Sequence, residues 1–211
     1  MKSVDHSKLK ATPQDEDFSG KYTNDGIVAK YLVDNYFKAV NRLIGKTVNV
    51  SSAHEIGAGI GESTAKLKEI ISFITASEFV SENVRTAKLK NPTLEIIQES
   101  VYELSYENDS TDLLFLLEVL EHLDHPEKAL AELKRVSQRY LILGVPREPI
   151  WRILNMARFK YWKYLGNTPG HLNHWSKSSL INIVEENFGE VIAVESPLPW
   201  TIVLAEKSKT K

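Results

Sequence analysis

The sequence predicts a doubly wound α/β domain, in which a mostly parallel sheet is covered by helices on both faces. Three observations point to this class. Segments with strand character alternate along the chain with segments of helical periodicity. Two nearly continuous apolar runs, DLLFLLEV and YLILGV, are typical of strands buried on both faces. A glycine-rich turn joins the first strand to the helix that follows it.

The elements are predicted from these patterns in chain order. A helix is expected from Gly26 to Gly45, because apolar residues recur there at three- and four-residue spacing. The strands are predicted at VNVSSAHEIG, FITASEF, LEIIQES, DLLFLLEV, YLILGV, VIAVESP and WTIVLAEK. The other helices are predicted at ESTAKLKEII, SENVRTAKLK, Pro126–Ser137 and SKSSLINIVEENFG, the last with a serine cap and a glycine stop.

Length and composition restrict the classes of protein. The 211 residues suffice for one domain with a sizeable core, and we expect a mobile N-terminal arm over 1–20, the domain over 21–206 and a tail over 207–211. The net charge of -2 gives no argument for nucleic-acid binding. The absence of cysteine excludes disulfides and thiol nucleophiles. No segment has the character of a signal peptide or a membrane span, so the predicted location is cytoplasmic.

The glycine-rich turn, Glu55–Gly61, is the first chemical signal. Gly57 and Gly59 allow a tight turn and a close approach of the backbone to a ligand. The exposed N–H groups of such a turn can hold an anion. The dinucleotide fingerprint G-x-G-x-x-G is not met, because Glu62 stands where its third glycine would fall. An NAD-binding turn and a turn that only connects strand to helix remain the alternatives.

The segment EIGAGIGEST resembles motif I of the class I S-adenosylmethionine-dependent methyltransferases, usually written E/D-x-G-x-G-x-G. Further along, LEVLEHLDHPEKALAELKRV resembles the segment after motif IV in the type 11 group of small-molecule methyltransferases. The resemblance covers about 48–145. It implies S-adenosyl-L-methionine as the cofactor and a seven-stranded sheet of order 3-2-1-4-5-7-6 with the last strand antiparallel. A short proline-containing turn between the two closing strands supports that order.

The resemblance also implies where the cofactor binds. Glu78 ends the second strand and would accept hydrogen bonds from the ribose hydroxyls, although it could instead be a solvated charge at a strand end. Glu99 ends the third strand and would lie near the adenine amino group. The complete implied set of cofactor-binding residues is Glu55, Gly57, Ala58, Gly59, Gly61, Glu78, Phe79, Glu99, Ser100, Val101, Leu117 and Glu118.

Three histidines are candidate catalytic residues. His122 follows the buried strand DLLFLLEV, and ligands of open parallel sheets bind at the carboxyl ends of the strands. Its imidazole could act as the base for a hydroxyl acceptor, or it could shape the loop. His171 and His174 form H-x-x-H, which supplies too few ligands for a zinc site, so no metal is predicted. An active-site wall with one of the two histidines facing the acceptor is favoured.

The segment 147–177 is rich in basic and aromatic residues and is predicted to be an acceptor-binding insert with a lid helix over about 151–165. Arg158 falls on the apolar face of that helix. A charge there requires an anionic partner, so we expect Arg158 to face inward and to contact Glu118, Glu121 or the acceptor, as a fourth candidate catalytic residue. The alternatives are a lid helix with a solvated basic face and an interfacial helix on an anionic membrane.

The leading functional hypothesis is methyl transfer to a small-molecule acceptor, with an aromatic or apolar acceptor that carries an anionic group favoured. The alternatives are a methyltransferase acting on lipid, quinone or RNA, an NAD- or nucleotide-binding oxidoreductase, and a non-catalytic cofactor-binding partner of another enzyme. The expected partner is the small-molecule acceptor, without nucleic acid, and peripheral membrane contact would use 147–165.

Overall fold

Seven strands form one sheet in the computed structural model, which describes residues 9–10 and 26–208. The strands are β1 (Ala53–Ile56), β2 (Ile74–Glu78), β3 (Ile96–Gln98), β4 (Thr111–Leu117), β5 (Ser137–Pro146), β6 (Gly189–Glu195) and β7 (Trp200–Lys207). Their order is β3-β2-β1-β4-β5-β7-β6. Within the described sheet, β7 runs antiparallel to the other six strands. The predicted doubly wound class and strand order are therefore confirmed.

Six α-helices surround the sheet in the described part of the chain. They are α1 (Ile27–Ile44), α2 (Glu62–Lys68), α3 (Ser81–Lys90), α4 (Pro126–Val136), α5 (Ile150–Ala157) and α6 (Lys177–Asn187). Two short 3₁₀ turns, Leu120–His122 and Trp162–Tyr164, complete the helical structure. Ser176 caps α6 in a capping box with Ser179, as the serine before that helix predicts. None of the described helices is both long and apolar enough to cross a membrane.

The core lies on both faces of β4 and β5. Successive side chains of a strand point to opposite faces, so Leu113, Phe115 and Leu117 pack in a cluster with α1, whereas Leu114 and Leu116 pack in a cluster with α4 and α6. All five residues are buried. A strand with apolar contacts on both faces has to be apolar throughout, which is why DLLFLLEV shows no alternation.

The parallel register brings the carboxyl ends of neighbouring strands to one edge of the sheet. Ile56 at the end of β1 pairs with Ser77 of β2 and with Leu116 of β4, and Glu78 pairs with Gln98 of β3. Residues that follow these strands therefore lie side by side, and this edge carries the sequence motifs described above.

The start of the first strand differs from the prediction. The segment VNVSS was included in the strand, but β1 begins only at Ala53. Asn49 has a φ of 56°, which is left-handed backbone that a strand does not accommodate. Val48 is accordingly half-exposed rather than paired in the sheet.

The insert also differs from the prediction. The lid helix expected over 151–165 is wrong beyond Ala157, where α5 ends. The residues Phe159, Tyr161 and Leu165 have φ values of 57°, 56° and 49°, so the backbone turns out of the helix repeatedly. Arg158 is the C-terminal cap of α5 and not a residue of a helical face.

The predicted arm over 1–20 lies outside the described residues except for Leu9 and Lys10. The backbone N–H of Lys10 donates a hydrogen bond to Asp124, 2.8 Å away. Most of the predicted tail also lies outside, although Lys207 belongs to β7.

Candidate active site

The glycine-rich turn folds back over β2. The backbone N–H groups of Gly57 and Ala58 both donate to the carbonyl of Ser77, at 2.9 and 3.0 Å. A Cβ on Gly57 would lie 2.5 Å from a methyl carbon of Val119, so packing alone requires glycine there. Gly59 has a φ of 53°, and a Cβ on it would meet no atom within 4 Å. The open side of Gly59 is therefore the place where a ligand can approach the backbone.

Glu78 ties the turn to the end of β2. Its Oε2 accepts a hydrogen bond from the N–H of Gly59, and its Oε1 accepts one from the N–H of Val80, both at 2.9 Å. The residue is only 7% exposed. Its carboxylate is thus held beside the open side of Gly59, where the resemblance places a ribose.

Glu55 is the buried acid of the turn, with 1% exposure. The hydroxyl of Thr64, in the first turn of α2, donates to its Oε2. Burial raises the pKa of Glu55 to about 7, against the opposing effect of the hydrogen bonds from Thr64 and Ser63. Its Oε1 is buried and has no hydrogen-bond partner among the described residues.

Glu99 follows β3 and lies next to Glu78, whose carbonyl accepts a hydrogen bond from the N–H of Glu99 at 3.1 Å. The N–H of Ser105 donates to Oε2 of Glu99 at 2.9 Å. Oε1 of Glu99 lies 3.8 Å from Nε2 of His54. The acids that follow β2 and β3 are therefore neighbours at this edge of the sheet.

His54 was not identified as a site residue from the sequence. It is buried in β1, and its ring nitrogens make hydrogen bonds with Ser77 at 2.9 Å and with Tyr106 at 2.9 Å. Burial lowers its pKa to about 4, so the imidazole is neutral and does not form an ion pair with Glu99. Two adjacent polar residues, His54 and Glu55, inside a short strand that leads into the glycine-rich turn were the signal that could have revealed this network.

The remaining cofactor positions implied by the resemblance lie at the same edge. Val101 is buried in the core, and Phe79 is 39% exposed. Glu118 directly follows β4 with a φ of 59°, and its N–H donates to the carbonyl of Gly144 at 2.8 Å. The structure thus brings together the predicted positions after β1, β2, β3 and β4, while the cofactor contacts of individual residues stay predictions.

A second group of side chains lies just beyond β4. Ligating atoms of Glu121, His122 and His171 are all within 4.8 Å of one another. Nε2 of His122 is 3.8 Å from Oε1 of Glu121, and the rings of His122 and His171 meet edge to face with centroids 4.9 Å apart. We refer to these three residues as the Glu–His–His cluster.

The cluster is assembled by hydrogen bonds between two segments that are far apart in sequence. The N–H groups of Leu172 and Asn173 both donate to the carbonyl of Glu121, at 2.9 Å. The side-chain amide of Asn173 donates to the carbonyl of Leu123 at 2.7 Å. The loop that carries His171 is therefore fixed on the 3₁₀ turn that carries His122.

His174 points elsewhere. Its Nε2 lies 2.8 Å from Oδ1 of Asn167 and 3.5 Å from the guanidinium of Arg152. Burial and the charge of Arg152 lower its pKa. Of the H-x-x-H pair, the structure therefore brings only His171 to His122.

The predicted orientation of Arg158 is wrong. Its side chain is exposed and donates a 2.9 Å hydrogen bond to Oδ1 of Asn155. The prediction assumed a helix that continues past Ala157, and the left-handed backbone at Phe159 removes that assumption. The guanidinium of Arg158 therefore faces solvent and not Glu118 or Glu121.

The sheet, the turn and the acids together define a fold class. A sheet of order 3-2-1-4-5-7-6 with an antiparallel last strand, a glycine-rich turn after β1 and acids after β2 and β3 form the nucleotide-binding edge of a class I methyltransferase fold. Residues 54–140 match the family model described as a methyltransferase domain. Residues 54–140 thus carry a methyltransferase domain within a class I methyltransferase fold, and S-adenosylmethionine is the cofactor that such a domain implies.

Solved structures with the same fold agree with this assignment. Magnesium protoporphyrin IX methyltransferase from Synechocystis, with bound S-adenosylhomocysteine, matches with a TM-score of 0.64 at 14% identity, over 88% of this chain and 89% of that chain. An S-adenosylmethionine-dependent methyltransferase from Aquifex aeolicus matches with a TM-score of 0.64 at 19% identity, over 82% and 90%. A Thermotoga maritima structure named as a possible histamine N-methyltransferase matches with a TM-score of 0.63 at 14% identity, over 85% and 98%. No curated protein sequence matches the chain significantly.

Glu78→Ala should weaken the binding of S-adenosylhomocysteine by about 1–3 kcal/mol, the range for a hydrogen bond to a charged group. Isothermal titration calorimetry measures the affinity. The matched control uses an analogue that lacks the ribose hydroxyls, for which parent and variant should bind alike. An equal loss for both ligands would mean that Glu78 acts only by holding the turn at Gly59.

Proposed function

We propose that the protein transfers the methyl group of S-adenosylmethionine to a small-molecule acceptor whose nucleophilic atom lies beside His122. The observation that carries this proposal is the Glu–His–His cluster at the carboxyl edge of the sheet. Val119, which packs directly against Gly57 of the glycine-rich turn, immediately precedes the 3₁₀ turn of the cluster. The cluster is therefore next to the predicted cofactor site.

Methyl transfer is an in-line displacement at a carbon bound to a sulfonium sulfur. A lone pair of the acceptor forms the new bond to the methyl carbon, the carbon–sulfur bond breaks, and its electron pair stays on sulfur. Positioning supplies much of the rate, and an acceptor hydroxyl must also lose its proton. The cluster would assist that loss, with His122 and His171 as the residues nearest to the acceptor.

Two lines of support favour a small molecule. Two of the similar structures are named for small acceptors, magnesium protoporphyrin IX and histamine. The region around the cluster also offers aromatic surface, since the ring of Trp151 stacks on His171 with centroids 6.0 Å apart.

The proposal is tested by ligand-dependent melting and by label transfer. S-adenosylhomocysteine at 100 times its Kd should stabilise the protein by about 2.7 kcal/mol, and NAD should not stabilise it. Methyl-labelled S-adenosylmethionine is then incubated with the protein and with separated low-mass, lipid and RNA fractions of a cell extract. Label should enter the low-mass fraction. Transfer into RNA alone, or stabilisation by NAD alone, would contradict the proposal.

A second candidate, an acceptor reached at a membrane surface, is favoured by one specific observation. The aromatic–basic patch, which we define as residues 158–165, exposes Phe159 by 83%, Trp162 by 55% and Leu165 by 68%. Between 149 and 184 the sequence contains no acidic residue. Exposed aromatic side chains among basic ones are typical of surfaces that insert shallowly into anionic bilayers. The predicted cytoplasmic location would give the patch access to an anionic leaflet.

Vesicle sedimentation tests this second candidate. The protein should co-sediment with vesicles of phosphatidylserine and phosphatidylcholine but not with phosphatidylcholine alone. Replacing Phe159 and Trp162 by serine should abolish this binding, whereas Tyr31→Ser, at an equally exposed aromatic residue of α1, should not. If the double variant binds vesicles as well as the parent does, the aromatic–basic patch is not the membrane-binding surface.

A further inference from the structure

The Glu–His–His cluster has the composition of a metal-ion site. Two imidazoles and one carboxylate are ligands that Zn²⁺ and related divalent cations take in catalytic sites. We propose that Glu121, His122 and His171 bind one divalent transition-metal ion, with Zn²⁺ the best match. This inference rests on the proposed function, because the ion would act on the acceptor at the same place.

The distances leave room for such an ion. Because the three ligating atoms are within 4.8 Å of one another, a point exists that is no farther than 4.8/√3, about 2.8 Å, from each of them. Zinc–nitrogen bonds are about 2.0–2.1 Å long. Each side chain therefore has to move by no more than about 0.7 Å to close on a cation, which is within the range of a small rotation about its χ angles.

The orientation of His122 fits a metal ligand. Its Nδ1 lies 3.2 Å from the carbonyl of Gly170, and a carbonyl can only accept, so Nδ1 carries the proton. In the neutral ring the lone pair is then on Nε2, the nitrogen that lies 3.8 Å from the carboxylate of Glu121. A histidine that donates its other N–H to a carbonyl is the usual arrangement around bound metals.

Burial and charge point the same way. Glu121 is 1% exposed and His171 is 8% exposed. Ligand groups that are shielded from water bind a cation more strongly than exposed ones, because water competes less for the ion. A divalent cation between the carboxylate and the two rings would be bound by all three groups. The hydrogen bonds of Leu172 and Asn173 to the carbonyl of Glu121 hold the ligands in place before the ion arrives.

Three protein ligands leave a tetrahedral ion with one open position, which is the arrangement of catalytic zinc sites. An acceptor oxygen in that position would lose its proton to water more readily, because the cation lowers the pKa of a bound O–H. The resulting oxygen lone pair would attack the methyl carbon, and the electron pair of the broken carbon–sulfur bond would remain on sulfur. His122 would then act as a ligand of the ion.

Metal titration of the intact, tag-free protein after treatment with a chelator tests the site. Zn²⁺ should bind in one equivalent by calorimetry, and Co²⁺ should develop the visible absorption of a tetrahedral site. His122→Asn, His171→Asn and Glu121→Gln should each weaken Zn²⁺ binding at least 10–100-fold, the loss already seen when only outer-sphere partners are removed. The control is His125→Asn, since His125 also lies 3.9 Å from a glutamate, Glu127, but is well exposed.

Two further measurements keep the outcome unambiguous. Stabilisation by S-adenosylhomocysteine shows that each variant is folded, and the histidine ring signals in NMR spectra of the parent should show two rings perturbed by Zn²⁺. Absence of stoichiometric binding in the parent, or binding that survives His171→Asn, overturns the metal site. In that case a dependence of turnover on His122 would still support the proposed function, whereas metal binding without such a dependence would refute the function and not the site.

Discussion

Gly59→Val should abolish the binding of S-adenosylhomocysteine while the protein still folds. The glycine has left-handed backbone with a φ of 53°, and the direction of its missing Cβ is open for at least 4 Å. A valine there fills the space that a cofactor must enter, and it strains the backbone by roughly 1–2 kcal/mol. The N–H of Gly59 also donates to the carboxylate of Glu78, so strain at this residue would disturb the position of that carboxylate. We expect a loss of more than about 100-fold in affinity, or some 3 kcal/mol, by calorimetry.

The chain offers a control for backbone strain alone. Gly26 has a φ of 99°, and a Cβ on it would likewise meet no atom within 4 Å, but it lies at the start of α1. Gly26→Val should therefore lower the melting temperature of the protein without changing its affinity for the cofactor product. If Gly59→Val binds S-adenosylhomocysteine as well as Gly26→Val does, the glycine-rich turn does not contact the cofactor as proposed.

His122→Asn should lower kcat by about 10²–10⁴-fold, the range for loss of assistance to proton removal, which the variant loses whether His122 acts as the base or as a ligand of an ion. Affinity for S-adenosylhomocysteine should stay within a factor of two or so, because His122 lies in the 3₁₀ turn after Val119 and not in the glycine-rich turn. Asparagine keeps a polar side chain of similar reach, so the hydrogen bond to Gly170 has a substitute donor.

The control for His122→Asn is a histidine that is close in sequence but lies outside the Glu–His–His cluster. His125 follows the same 3₁₀ turn and precedes α4, and His125→Asn should leave kcat unchanged. Turnover is measured with the low-mass fraction that accepts label. Equal rates for His122→Asn and the parent would assign His122 a role in shaping the loop, which was the alternative derived from the sequence.

The local sequence pattern was sufficient to predict most of the helices and strands. The predicted helix SENVRTAKLK coincides with α3, and the helix expected between Gly26 and Gly45 coincides with α1. In α1, the periodicity of apolar residues agrees with the burial of Val33, Phe37 and Val40. The strand order followed from the family resemblance and not from periodicity, which carries no information on which strands become neighbours.

The errors have a common physical origin. A helical wheel assumes right-handed helical backbone at every residue. The helix of the insert was therefore predicted to continue past Phe159, which has left-handed backbone, and Arg158 was predicted to face inward. The same cause moved the start of β1 away from Val48, since Asn49 interrupts the extended chain. Asn49 is of a residue type enriched in left-handed backbone, whereas the bulky residues Phe159, Tyr161 and Leu165 are not, so their positive φ could not be predicted from their identities.

The sequence by itself determined the fold class, the glycine-rich turn and the acids that follow β2 and β3, because each depends on neighbours within a few residues of chain. Only the tertiary structure decided that His171, and not His174, joins Glu121 and His122. That choice depends on the hydrogen bonds of the 172–173 backbone to the carbonyl of Glu121. Such bonds join peptide groups that any residue possesses, so no pattern of side chains along the chain could have predicted them.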